Sequence, residues 1–94
     1  MLYAAKCYWP GVTQADVERI EARASDARLG TGRSSVKYLG SLLFAADDLV
    51  LCFFHGASRA GVMQASSRLG IPCERLMVAA WLGPGRLTHE GTLR

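Results

Sequence analysis

One short segment of this chain is apolar at every position, and it constrains the fold more than any other feature. Residues 49–54 read Leu-Val-Leu-Cys-Phe-Phe. Successive residues of a β-strand point to opposite faces of a sheet, so this segment would place apolar side chains on both faces. The stretches 36–44 and 76–82 are mostly apolar in the same way. We therefore expect a sheet that must be covered on both sides.

The length of the chain limits what can cover those two faces. A chain of 94 residues forms one small domain, with room for about two helices, and two helices cover one face of a sheet. Half of the residues are apolar and 20% are charged, which is typical of a globular protein rather than a disordered one. The simplest cover for the second face is another copy of the chain, so we expect a homodimer through the sheet face.

Turn and capping residues divide the chain into six elements. Thr13 and Asp16 have the spacing of a capping box, which predicts that the first helix begins after Thr13. The second helix is predicted to begin after Ser58, a good N-cap residue, and to end at Gly70. Four strands are predicted, over residues 2–9, 36–44, 49–55 and 75–82.

The resulting order, β-α-β-β-α-β, is that of the ferredoxin-like fold. This α+β fold has a four-stranded antiparallel sheet with two helices on one face. We assign residues 1–83 to this domain and residues 84–94 to a polar C-terminal tail. Two copies that pack their open sheet faces together would form a dimeric α/β barrel.

Charge and targeting patterns exclude several classes of protein. Eleven Lys and Arg residues against eight Asp and Glu residues give a net charge of +3, and the Arg residues are spread out rather than clustered as on a nucleic-acid-binding surface. No apolar run approaches the roughly 20 residues that span a bilayer, and no signal-peptide pattern begins the chain. The three cysteines lack CxxC spacing, as expected for reduced thiols. We expect a cytoplasmic protein that binds neither nucleic acid nor membrane.

Several short motifs fall in the second half of the chain: Tyr38-Leu39-Gly40-Ser41, Asp48, Cys52-Phe53-Phe54, Ala57-Ser58, Gly70-Ile71-Pro72 and Glu74-Arg75. Together they resemble a family of small ferredoxin-like proteins of largely unknown function that includes a nickel-binding member. The resemblance implies a homodimer and the binding of nickel or another divalent metal. The family often has a histidine in the second helix, where this chain has Gln64 to Arg68. The two histidines present, His55 and His89, are the candidate metal ligands.

His55 is the most suggestive single residue for chemistry. It ends the third predicted strand beside a glycine, and functional residues often collect at strand ends. Its parity places it on the same face as Leu51 and Phe53. Such a histidine could be satisfied by one backbone hydrogen bond, act as an acid–base group, or bind a metal. Tyr38 is the second candidate for a catalytic role.

Four residues are candidates for ligand binding: Trp9, Ser41, Cys52 and Trp81. Aromatic residues near strand ends either anchor a core or an interface, or line an apolar ligand pocket. Cys52 lies at an odd offset from His55, which predicts that their side chains lie on opposite faces of the sheet. Cys7 and Cys52 could approach each other across neighbouring strands, but that depends on a register the sequence leaves open.

Three functions fit these residues. The first is a homodimer that binds a divalent metal or a small ligand. The second is a cofactor-independent isomerase, cyclase or monooxygenase that acts on a hydrophobic metabolite inside the barrel, with His55 as its acid–base group. The third is a structural or interaction module whose partner covers the apolar sheet face. The sequence has no Gly-rich phosphate loop after a strand, which argues against a nucleotide-binding protein.

Overall fold

The elements of the chain follow the predicted order. The computed structural model describes residues 1–26 and 36–85. These residues form β1 (Leu2–Tyr8), α1 (Gln14–Asp26), β2 (Val36–Phe44), β3 (Leu49–Gly56), α2 (Arg59–Arg68) and β4 (Arg75–Ala79). The strands make one antiparallel sheet in the order β2-β3-β1-β4, which confirms the α+β ferredoxin-like fold. Neither of these two helices has the length and apolar character needed to cross a membrane.

Side-chain caps begin both helices where the sequence predicts them. The Thr13 amide donates to Asp16 Oδ2 (2.8 Å) and the Asp16 amide donates to Thr13 Oγ1 (3.3 Å), which completes the capping box. Ser58 Oγ accepts a hydrogen bond from the Gly61 amide (3.1 Å) at the start of α2. Gly70, with φ of +73°, takes the left-handed conformation that ends this helix.

The core lies between the sheet and the two helices. In β3 the side chains of Val50, Cys52 and Phe54 are fully buried against α1 and α2. The alternating residues Leu49 and Leu51 are only partly buried, because they point to the other face of the sheet. The strand is therefore apolar on both faces, as predicted, and the helices of this chain cover one of them.

A β-bulge interrupts β2 and changes which face its residues occupy. Tyr38 pairs with Phe54 and Gly40 pairs with Phe53, so Leu39 is an extra residue on this strand. Gly40 has φ of +138°, which an L side chain rarely adopts. Because of the extra residue, Tyr38 and Ser41 lie on the same face, although an offset of three would separate them in a regular strand.

The last strand is shorter than the sequence predicts. It ends at Ala79, and the prediction that it reaches Leu82 is wrong. Ala79 pairs with Leu2, the first residue of β1, so β4 has no further residue of that strand to pair with. Beyond it the indole N–H of Trp81 donates to the Gly85 carbonyl and closes a turn. Apart from Pro84 and Gly85, the predicted tail lies outside the described residues.

Candidate ligand-binding site on the open sheet face

The face of the sheet opposite the helices is apolar and uncovered; we call it the open face. Leu42 and Phe44 on β2 remain 52% and 41% exposed, and Trp81 beyond β4 remains 46% exposed. The other apolar residues that register and parity place on this face are Leu2, Ala4, Leu49, Leu51, Phe53, Met77 and Ala79. A contiguous exposed apolar surface of this kind marks a site for a ligand or a partner.

A cavity of about 360 Å³ lies on the open face. Its wall is almost entirely apolar and consists of Leu2, Leu39, Gly40, Ser41, Leu42, Phe53, Ala79, Ala80 and Trp81. The volume lies at the lower end of the range, roughly 300–1,000 Å³, that is typical of small-molecule sites. The bulge forms one side of the cavity, because it turns the extra Leu39 toward this face and leaves Gly40 without a side chain that would occupy the space.

His55 is not part of the cavity wall but neighbours it, in a position that we call the rim. The register places it opposite Leu2 on β1 and opposite Lys37 on β2. Leu2 lines the cavity, as does Phe53, the preceding residue of β3 on the same face. The His55 side chain is exposed, so it could contact a bound molecule and solvent together.

Tyr38, the other candidate for catalysis, lies on the opposite face of the sheet. Its ring packs edge-on against Phe54, with the ring centroids 5.6 Å apart. Burial raises the pKa of Tyr38 to about 12, although a hydrogen bond with Ser41 acts in the other direction. Because the sheet separates Tyr38 from His55, the two do not form one catalytic pair.

Tyr38 belongs to a small polar cluster inside the covered face. Its hydroxyl lies 2.5 Å from Ser41 Oγ, and Ser41 Oγ donates to Cys52 Sγ at 3.2 Å. Cys7 and Cys52 occupy diagonal positions of β1 and β3, and hydrogen bonding with Cys52 together with burial raises the pKa of Cys7. Both thiols are fully buried. Hydrogen bonding with Cys7 shifts the pKa of Cys52 in the opposite direction, downward. The cluster is therefore hydrogen-bonded packing within the core, and His55 lies on the other side of the sheet from it.

The four residues predicted to bind a ligand divide between the two faces. Trp81 and Ser41 border the cavity, although the Ser41 hydroxyl turns toward the covered face. Trp9 packs against the core, and Cys52 is buried within it. Most of the cavity wall was not predicted from the sequence. One signal was available: an isolated glycine inside a predicted strand, here Gly40, often marks a bulge.

The described residues do not assemble a metal centre. Within 1–26 and 36–85, no group of three His, Cys, Asp or Glu side chains is placed to hold an ion. His55 has Lys37 and Leu2 as its neighbours across the strands, and neither supplies a carboxylate, thiol or imidazole ligand. His89, the other predicted metal ligand, lies outside the described residues.

A larger space, about 490 Å³, opens between α1 and β2. Its lining residues are Gln14, Val17, Glu18, Glu21, Ser41 and Leu43. It is wider open to solvent than the cavity on the open face, and much of its wall is carboxylate and amide. A surface groove with this lining offers less apolar enclosure for a small ligand than the smaller cavity does.

Comparison with known proteins supports the fold and goes no further. No family model matches the chain, and no curated protein matches it. The crystal structure of SCO4226 from Streptomyces coelicolor A3(2) is similar, with a TM-score of 0.63 over 88% of this chain and 100% of that chain, at 14% sequence identity. At this identity the likeness shows a shared fold alone.

Proposed function

We propose that this protein is a homodimer that binds a small apolar molecule in the cavity of the open face. The observation that carries the proposal is the cavity itself, about 360 Å³ with an almost wholly apolar wall. Apolar side chains left in water cost free energy, and a ligand that covers them recovers roughly 25 cal/mol for each Å² of apolar surface removed from water. Leu42 and Phe53 would supply much of that contact.

A second copy of the chain is the proposed lid of this cavity. The exposed fractions of Leu42, Phe44 and Trp81 are high for large apolar side chains, and all three lie on or beside the open face. An isologous contact between two open faces would cover all three in both copies. The ligand would then lie in the barrel between two sheets, shielded from water.

Metal binding and cofactor-independent catalysis stay predictions from the sequence. No observation at the cavity favours either of them over ligand binding. His55 at the rim could orient a ligand through its ring nitrogens, and a proton-transfer role would need a substrate whose reacting atom reaches that rim.

A fluorescence titration tests the proposal. N-phenyl-1-naphthylamine is a neutral apolar dye whose emission rises when it leaves water, and we expect saturable binding to the purified protein. Ala79→Phe would fill the cavity from β4, and we expect it to weaken dye binding about tenfold or more, which is about 1.4 kcal/mol. Ala60→Phe makes the same change on the exposed surface of α2 and serves as the matched control.

Two results would contradict the proposal. One is the absence of saturable dye binding to the wild-type protein. The other is equal dye binding by Ala79→Phe and Ala60→Phe, with both variants shown to be folded by circular dichroism. Sedimentation velocity on the same samples gives the oligomeric state independently of the dye.

A further inference from the structure

The basic side chains of the sheet all lie on one face. Lys6 on β1 lies directly opposite Arg75 on β4, and Lys37 on β2 lies directly opposite His55 on β3. Both pairs belong to the open face. The four strands contain no Asp or Glu. In the described part of the chain, acidic residues occur on α1 and in connections: Asp16, Glu18, Glu21, Asp26, Asp47, Asp48 and Glu74.

Lys6 and Arg75 are placed where like charges repel, and Lys37 faces a histidine rather than a carboxylate. Side chains directly opposite on neighbouring strands are close, so like charges there are destabilising unless something lies between them. Within residues 1–26 and 36–85, the ion pair formed is Arg19 with Asp16 on α1, so no described carboxylate neutralises either pair. An anion bound at the open face would compensate the positive charge of these lysine and arginine side chains.

One of the two pairs lies at the rim of the cavity. Lys37 is followed two residues later on β2 by Leu39, and His55 faces Leu2 across the β1–β3 pairing. Leu39 and Leu2 both line the cavity. A molecule whose apolar body fills the cavity would therefore present its end to the Lys37 ammonium and the His55 imidazole.

We infer that the ligand of the open-face cavity is an apolar anion, meaning a carboxylate or sulfonate on a hydrocarbon or aromatic body. The inference rests on the proposed function and names its ligand class. The apolar body lies between Leu39 and Phe53, and the anionic group accepts charge-assisted hydrogen bonds from Lys37 and His55 at the rim. A neutral ligand of the same shape would leave the charge of Lys37 uncompensated.

The proposed dimer strengthens this preference. A second open face would bring its own Lys37 to the same interface, and its strands would bring no carboxylate. The enclosed space would therefore have a positive potential, and such a potential favours an anion over a neutral or cationic molecule. The anion would also stabilise the dimer, because it binds the assembled form.

Two dyes with the same aromatic body separate the effect of ligand charge on affinity from the effect of ligand shape. 1-Anilinonaphthalene-8-sulfonate is N-phenyl-1-naphthylamine with an added sulfonate. At low salt we expect the wild-type protein to bind the sulfonate at least about tenfold more tightly than the neutral dye. This ratio should fall as salt is raised, since salt screens charges that solvent reaches. Dodecanoate should displace the sulfonate dye more effectively than dodecanol.

Variants that remove one lysine charge test where on the open face the anionic group of the ligand binds. Lys37→Gln should lower the ratio of the two dye affinities about tenfold, to near one. Lys6→Gln makes the same change of charge on the same face, but its register partners Leu51 and Arg75 do not line the cavity. Lys6→Gln should therefore keep most of the wild-type ratio.

Each other outcome overturns a defined part of the argument. Equal binding of the two dyes to the wild-type protein overturns the anion inference and leaves the proposed function standing. Failure of both dyes to bind overturns the proposed function. If Lys37→Gln and Lys6→Gln lower the ratio of the two dye affinities equally, the anionic group does not lie at the rim. Binding to phosphatidylglycerol vesicles without binding of the soluble sulfonate or dodecanoate overturns a small-molecule ligand in favour of a lipid surface.

Discussion

Phe53 and Phe54 are neighbours in the chain, yet the sheet gives them opposite surroundings. Phe54 points to the covered face, is fully buried, and contacts the ring of Tyr38 edge-on. Phe53 points to the open face, is only partly buried, and lines the cavity. The same side chain therefore stabilises the fold at one position and is available to a ligand at the next. Residue type alone does not separate these roles; the position of the helices does.

The polar groups of the two faces differ in the same way. On the covered face, Tyr38, Ser41 and Cys52 are linked by hydrogen bonds, and no buried side-chain nitrogen or oxygen of the described residues lacks a partner. On the open face, Lys37 and His55 lie opposite each other with no described carboxylate between them. The buried polar groups of the covered face are satisfied within one chain, whereas the open face has the composition of a surface that meets something else.

The largest expected difference between the faces is the cost of deleting a phenyl ring. Phe54→Ala should lower the free energy of unfolding by about 3–5 kcal/mol, because it leaves a cavity in a closed core. Phe53→Ala removes a partly exposed ring and should cost less than half as much at low protein concentration. Urea unfolding of both variants measures this. Equal costs for the two variants would break the distinction between the faces.

A charged residue introduced on the open face should weaken dimerisation without a matching loss in the stability of the single chain. Leu42→Asp places a carboxylate in the proposed dimer interface, and we expect dimerisation to weaken by roughly 2 kcal/mol or more, about 30-fold, as for a central interface residue. The stability of the single chain should change little, because Leu42 is already half exposed. Sedimentation velocity over a range of concentrations measures the change in dimerisation.

Met63→Asp is the matched control for this charge. Met63 is a similarly exposed apolar residue, but it lies on α2, on the outer side of the helices. The control should leave dimerisation as it is in the wild type. A monomeric wild-type protein, or equal effects of the two aspartates, would remove the open face from the assembly.

Close packing of α2 on the covered face makes Gly56 sensitive to one methyl group. A Cβ at this position would lie 2.9 Å from Val62 Cγ2 and 3.4 Å from Val36 Cγ2. Gly56→Ala should therefore cost about 1–3 kcal/mol through overpacking, measured as a lower melting temperature. Adding Val62→Ala should recover part of this loss. Gly83→Ala is the control, since its Cβ would meet the Trp81 ring at an ordinary 3.5 Å.

Alternation along β3 correctly predicted which of its residues share a face. β3 pairs without interruption, so parity was enough to place His55 with Phe53 and to place Cys52 on the other face. The apolar character of both faces also followed from β3 alone. These predictions succeeded because they depend on a single regular strand, in which the period of two is maintained from end to end.

The cavity could not be predicted in the same way, because it depends on how strands meet. Leu39 reaches the open face through the bulge, and Trp81 borders the cavity since β4 ends early against the first residue of β1. Both features are set by register between strands distant in sequence. The pairing of Lys37 with His55 has the same origin. Residue patterns indicate that a strand exists, but tertiary packing decides its register.

The smallest expected effect is a loss of stability at high pH that comes from the covered face. Because the pKa of Tyr38 is raised to about 12, the folded chain holds the phenolic proton more tightly than the unfolded chain does. The contribution of protonated Tyr38 to the free energy of unfolding is therefore complete below about pH 10 and is lost as the pH rises through 12. We expect roughly 1–2 kcal/mol, allowing for solvent screening of a partly exposed ring.

Two variants isolate this contribution from other groups that titrate at high pH. Tyr38→Phe should reduce the slope of stability against pH above 10 and remove one step from the absorbance titration at 295 nm. Ser41→Ala removes the hydrogen bond that opposes the shift, so it should move that step to higher pH rather than abolish it. A Tyr38→Phe protein with the wild-type slope would mean that this hydroxyl meets solvent as freely in the folded chain as in the unfolded one. The covered face would then be less closed than its packing indicates, and the contrast with the open face would be weaker by that amount.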